Sequence, residues 1–518
     1  MATMPGLPMF GHGQIEGFNE RYGMEYRRAY HDEKPDTWLV ARHEREISPL
    51  LHRRALFAEV QNFLLYDFFT DSGQVDENVF AYSNCLGDQK ALVIFNNRYG
   101  DTSGWVRISS AYAVKTGDGG RNIRQRSLAD SFGVHSDGAL FMAARDAVSG
   151  LEYLHSARDL ADKGLHFHLH AYQCHVFLDW REMRDDATHP WSALCHELAG
   201  RGVSSLDDAL RGLQLKPLHD AMRGVLAPAL VTQLVETVPA PGKKKAKKAE
   251  TVPTDASQIV SQWRVPLRTL LERSRQLSVT DHERVASATS SAWSGDMEKA
   301  IAGFEQRVTL AMKLPGLEKS FEKPWPEEAH RVLPSTSGGK HQSSVLAAIV
   351  AWSAMVAIGE YADPADAECS ASRILDQQRL REPIAHSLEP FGVEGDERWR
   401  AAARIRALLA HKPWAPGDDT KNARAPFSWL QDPDMAWLIG VHSYEGVRYF
   451  GKEPYEQLLW WMALPALLRI AAAPKLDPAA LELLEEQIEA RTKAAADASY
   501  EVDGLFAPPT PAKQKRLP

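Results

Sequence analysis

Cysteine is scarce in this 518-residue chain: there are four, Cys85, Cys174, Cys195 and Cys369, far apart and without a CxxC pair. That spacing excludes a disulfide framework and a zinc ribbon and fits a reducing, cytoplasmic setting. An excess of basic charge is also lacking. Lys and Arg number 60 against 68 Asp and Glu, a net charge of -8, so there is no global positive field to wrap nucleic acid, and no nucleic-acid partner is expected. The first residues lack the basic stretch, apolar core and small-residue cleavage site of a secretory signal. No apolar run reaches the ~20 residues that span a bilayer. The most apolar window, Val345 to Ile358, reads as a buried helix, and no membrane partner is expected. There is no G-x-S-x-G elbow, and "STSGGKHQSS" (Ser335–Ser344) lacks the spacing of a phosphate-binding loop.

What is present is an ordinary globular composition, 44% hydrophobic and 25% charged, long enough for two to four domains. Asn19 to Ala58 has a helical period. From Asn62 the texture changes to short β-rich runs, "NFLLYDFF", "NVFAYSN", "KALVIFNN" and "GWVRISSAYAV", parted by polar and glycine turns, which predicts an antiparallel β-sandwich over 59–183. A helical pattern at Ser149–Gly164 interrupts it before the run "LHFHLHAYQCHVFLDW". Residues 184–238 read as helical. The stretch 239–257 carries five lysines against Glu250 and Asp255 and reads as a solvated linker. Helical periods near 3.6 run through 258–499, with Asp477 and Pro478 as cap and first position of the last helix. Residues 500–518 read as a disordered tail. Six tryptophans of the helical half (Trp352, Trp399, Trp429, Trp437, Trp460, Trp461) are expected in its core.

The opening of the chain resembles the C-terminal end of the α-amylase-type glycoside hydrolases, (β/α)8-barrel enzymes acting on α-glucans. Three pieces carry the likeness. Gly6-Leu7-Pro8-Met9-Phe10-Gly11-His12-Gly13-Gln14-Ile15-Glu16-Gly17 is similar to the family's eighth barrel strand and the loop after it, with Ile15 standing between the Gln and the Glu. The helix ending "LLHRRALF" is similar to the last barrel helix, and "VFAYSNCLGDQKALVIFNNR" to a hairpin of the C-terminal β-sandwich. The resemblance implies a multidomain chain: residues 1–58 as the last strand and helix of a TIM-type barrel, then the sandwich, then a mostly α-helical extension. It implies a C-terminal portion whose catalytic carboxylates lie on earlier strands, inactive by itself, with no catalytic residue here and no cofactor. The alternative is a non-catalytic interaction or carbohydrate-associated protein. The implied partners are an α-glucan or a separately encoded barrel. As an orphaned barrel unit, residues 1–58 are expected to be separable from a sandwich that folds without them.

Two groups of residues are candidates for a site. His12, Gln14 and Glu16, on the loop after the resembled eighth strand, are placed to contact sugar hydroxyls. His166, His168 and His170 alternate along one β run, so their imidazoles share a face and could bind a metal, with Cys174 or His175 as a fourth ligand. The plainer reading is a histidine-decorated solvent face, since the resembled sandwich needs no metal.

Overall fold

The computed structural model describes residues 1–20, 28, 30–115, 119–237, 254–284, 293–335, 341–411 and 428–506. The chain forms two compact units, Met1–Gln214 and Leu215–Pro518. The division falls inside a helix, Leu206–Val225, three residues before Pro217, which has no amide to bond back to the preceding turn. Of the expected linker, residues 239–253 lie outside the described residues, and a helix begins at Thr254.

The first unit is built on one antiparallel sheet. In chain order its strands are β1 (Leu64–Thr70), β2 (Val79–Leu86), β3 (Gln89–Asn96) and β4 (Thr102–Ser109). A separate small hairpin, β5 (Tyr112–Lys115) with β6 (Arg121–Arg124), follows, and then β7 (Leu140–Asp146), β8 (Glu152–Ser156), β9 (Leu165–Leu169) and β10 (Cys174–Arg184). The eight strands of the main sheet lie in the order β8-β7-β10-β3-β2-β1-β4-β9. Antiparallel pairing is as the sequence predicts, but two facing sheets are not formed. The single sheet instead curls on itself like half of a barrel. β9 stands five strands from β10, ~24 Å away in a flat sheet at ~4.8 Å per strand, yet the rings of Phe167 and Phe177 are 5.7 Å apart. Curling lets one sheet supply both walls of a core that a sandwich would need two sheets to enclose.

That inner core gathers Tyr66, Phe68, Ile94, Val106, Met142, Phe167 and Phe177 against two short helices, α4 (Leu128–Phe132) and α5 (Ala157–Asp162). The expected helix over 149–164 is therefore split: residues 152–156 pair with β7 as a strand, because Glu152-Tyr153-Leu154-His155-Ser156 alternates faces across a turn, and residues 157–162 are helical. Gly164 links α5 to β9 with φ +81°, and a Cβ there would lie 2.2 Å from the Val106 carbonyl oxygen. Gly164→Ala will thus lower the stability of the sheet unit by roughly 2–4 kcal/mol, from the left-handed backbone and the clash together. Urea denaturation followed by circular dichroism measures it, and a loss under ~0.5 kcal/mol would refute the tight turn.

The opposite face is covered by α1 (Thr37–Glu46), α2 (Ser48–His52) and α3 (Arg54–Ala58), whose Leu50, Leu56 and Phe57 pack on Tyr82, Val93, Val176 and Leu178. Asp36 caps α1 by accepting the amides of Trp38 and Leu39. Leu7 to Phe10, expected as a barrel strand, pairs with no strand; a parallel barrel strand takes its ladder bonds from neighbours on both edges, and every pairing among the described residues is antiparallel. Farther along the same face, α6 (Trp191–Leu198) and the start of α7 (Leu206–Val225) pack on Phe141, Ala143 and Leu154.

The second unit is almost wholly helical. Its axis is the helix Gln342–Ala362, buried nearly throughout from Val345, which accounts for the apolar window without a bilayer. Trp352, Trp429, Trp460 and Trp461 are core residues, whereas Trp437 is 40% exposed under the Arg400 guanidinium. Asp477 accepts the Ala479 amide and Pro478 opens the last long helix, as the sequence predicts. A hairpin, β11 (His442–Tyr444) with β12 (Val447–Tyr449), breaks the helical pattern. The expected tail begins too early: Val502, Leu505 and Phe506 are buried, the last against Phe450, because they complete an apolar core, while 507–518 lie outside the described residues.

Candidate functional site

His12, Gln14 and Glu16 sit on one compact turn closed by the amides of Gly17 and Phe18 on the Gly13 carbonyl, with positive φ at Gly13 and Gly17. The turn is stapled to α1, since Asp36 donates its amide to the Glu16 carbonyl and His43 Nδ1 lies 3.2 Å from the Ile15 carbonyl. Gln14 uses its side-chain oxygen to accept the Gly11 amide, while its exposed position and that of His12 leave both on the solvent side. Glu16 is half-buried.

Beside the covering helices, the outer face of the sheet opens into a concavity of ≈ 680 Å³. Phe80 and Phe95 from paired strands and Tyr172 from the turn before β10 contribute aromatic rings, and Arg42, Asn97 and Gln173 contribute polar groups. Phe80 is 47% and Tyr172 58% exposed. Tyr172 holds a φ of 56°, a conformation sparsely populated by non-glycine residues and often found where function requires it. These residues lie on separate runs with no motif, so the sequence carried no signal for them.

The histidine run forms β9, the edge strand beside β4. Leu165, Phe167 and Leu169 point into the core, and His166 and His168 point out. The three imidazoles do not form one cluster. His166 Nε2 is 3.0 Å from Asp71 Oδ1 and its ring meets Trp105 edge-on. His168 and His170 instead share Asp101: His170 Nδ1 is 3.1 Å and His168 Nε2 3.8 Å from Asp101 Oδ2. Ser103 Oγ, 2.7 Å from His168 Nδ1, fixes that ring and leaves its other nitrogen toward the carboxylate. Asp101, far off in sequence, is brought in by the β4–β9 pairing.

Neither residue offered as a fourth ligand can serve. Cys174 points to the opposite face, and burial, helped by the negative charge of Asp146, pushes its thiol up to about 11. His175 faces inward with both ring nitrogens engaged, Nδ1 at 2.9 Å from Asp146 and Nε2 at 3.1 Å from Gln173. Asp146 is fully buried and also accepts the amides of Val148, Ser149 and Val176 and the Ser149 hydroxyl. Burial alone would raise its pKa; the hydrogen bonds from His175, Ser149 and Val176 outweigh that and hold it below the ordinary carboxylate value.

No family model, curated protein or solved structure matches this chain. The same inner wall carries His155, stacked between Tyr153 and Trp180, with a buried Nε2 that has no hydrogen-bond partner. Desolvation pushes its imidazole down to about 4, so it is neutral at pH 7. A neutral, half-buried ring of this kind packs as an aromatic. Among the described residues of this unit, the aromatic concavity and the rim of β4 and β9 are two places where polar and aromatic groups face solvent.

Proposed function

We propose that this chain is the C-terminal portion of an α-glucan-acting glycoside hydrolase of the α-amylase type, one that binds glucan and does not hydrolyse it by itself. The resemblance of Gly6–Gly17 and of the β2–β3 hairpin supports the family. The observation that carries the binding role is the concavity with Phe80, Phe95 and Tyr172 beside Arg42, Asn97 and Gln173. A pyranose has apolar faces and a rim of hydroxyls, and such a site offers rings for the first and amide and guanidinium groups for the second. Docking on a separately encoded barrel is favoured by a different observation: Leu7 is 93% and Met9 77% exposed, apolar residues of the stretch that resembles a barrel strand.

The test uses the purified full chain. It will release no reducing sugar from starch or maltooligosaccharides above a heat-killed control, yet it will be retarded in native gels containing amylopectin. Tyr172→Ala and Phe80→Ala will each weaken the retardation about tenfold, the ~1–1.5 kcal/mol of one aromatic face. Sugar release refutes the inactive reading, and retardation unchanged in both variants refutes the concavity as the glucan site.

A further inference from the structure

We propose that Asp101, His168 and His170 form a three-ligand site for a divalent transition-metal ion at the rim of β4 and β9, with the remaining coordination position open to water. The donor atoms of the three side chains all lie within 4.8 Å of one another. A tetrahedral zinc ion, with bonds of ~2.0–2.1 Å, spaces its donors ~3.3 Å apart. The 3.1 Å and 3.8 Å separations from Asp101 Oδ2 to His170 Nδ1 and His168 Nε2 bracket that value. All three side chains are exposed, so their rotamers are free to adjust around an ion. Two imidazoles and one carboxylate suit zinc or its neighbours and not the hard, oxygen-preferring magnesium ion.

The surrounding shell holds these ligands in place. Ser103 occupies Nδ1 of His168, the outer contact that orients a ligating imidazole. Asn96, fully buried, donates its side-chain amide to both the Gly100 and the His170 carbonyls and so ties the loop before β4 to the loop after β9. The side chain of Gln173 accepts the His170 amide at 2.8 Å. His166, engaged with Asp71 one step along the strand, stays outside the set. A bound ion would join the end of an edge strand to the start of its neighbour in the sheet, and it would stabilise the folded sheet by mass action.

Zinc titration of the full chain by calorimetry tests this, with Cys369→Ser as the parent because that thiol is exposed. One saturable site is expected. His168→Gln and His170→Gln will each weaken it at least tenfold, Asp101→Asn will weaken it too, His166→Gln will leave it unchanged, and a tenfold excess of magnesium will not compete. Zinc will raise the melting midpoint of the parent and not that of His168→Gln. The proposal is overturned if zinc does not bind saturably, if both His168→Gln and His170→Gln keep parental affinity, or if His166→Gln loses as much as they do.

Discussion

Deleting residues 1–58 will unfold the sheet unit or lower its melting midpoint by roughly 10–20 °C. The barrel resemblance makes this segment separable, but the packing opposes that. Leu56 and Phe57 are 3% and 1% exposed, and with Leu50 they cover Tyr82, Val93, Val176 and Leu178 in the middle of the sheet. Each such side chain contributes ~1.5–3 kcal/mol by burial, so losing three and uncovering their partners costs about 5 kcal/mol or more. A domain's whole stability is about 5–15 kcal/mol. The segment is tied down further by Arg54, which donates to the carbonyls of Ala2, Met4 and Gly6, and by the Thr3–Tyr82 hydroxyl pair at 2.7 Å. Scanning calorimetry of the truncated chain measures the effect; a sheet transition at the parental midpoint would show that the helices are dispensable.

Asp146→Ala will cost about 3 kcal/mol or more, because it strands several buried donors, each left unsatisfied at a cost of ~1–3 kcal/mol. It removes the acceptor of His175 Nδ1 and of the amides of Val148, Ser149 and Val176, all at the turn that joins β7 to β8 and abuts β10. The pH dependence has a definite sign. The folded carboxylate's pKa lies below its ordinary value of 3.8, so its stabilisation is fully present above that pH and is lost as pH falls through the folded value. The parent will therefore weaken below about pH 4, and the gap between parent and variant will narrow there. Denaturation midpoints between pH 2 and 7 check this. A difference under ~1 kcal/mol at pH 7, or a gap that stays constant into acid, would contradict the buried carboxylate's role.

Much of the local structure was determined by the sequence alone. Alternation of apolar and polar residues is a property of neighbours, so Leu165 to Leu169 could be read as a strand with its histidines outward. Likewise Val345 to Ile358 could be read as a buried helix and Asp477-Pro478 as a helix start. Where two periods fit a short run, the choice was left to pairing: residues 152–156 became a strand because β7 lay open beside them. Tertiary structure alone decided that the β-rich region closes as one curled sheet, because curl depends on bulges, such as that between Leu178 and Arg181, and on the contact of Phe167 with Phe177 across the sheet. The candidate sites divide in the same way. His168 and His170 were visible through their spacing, whereas Asp101 enters only through strand register, and Phe80, Phe95 and Tyr172 meet only because β2, β3 and the turn before β10 are neighbours in space. Spacing along a chain records which side chains share a face; which faces meet is set by pairings between residues far apart, and these are selected by the burial of the whole core.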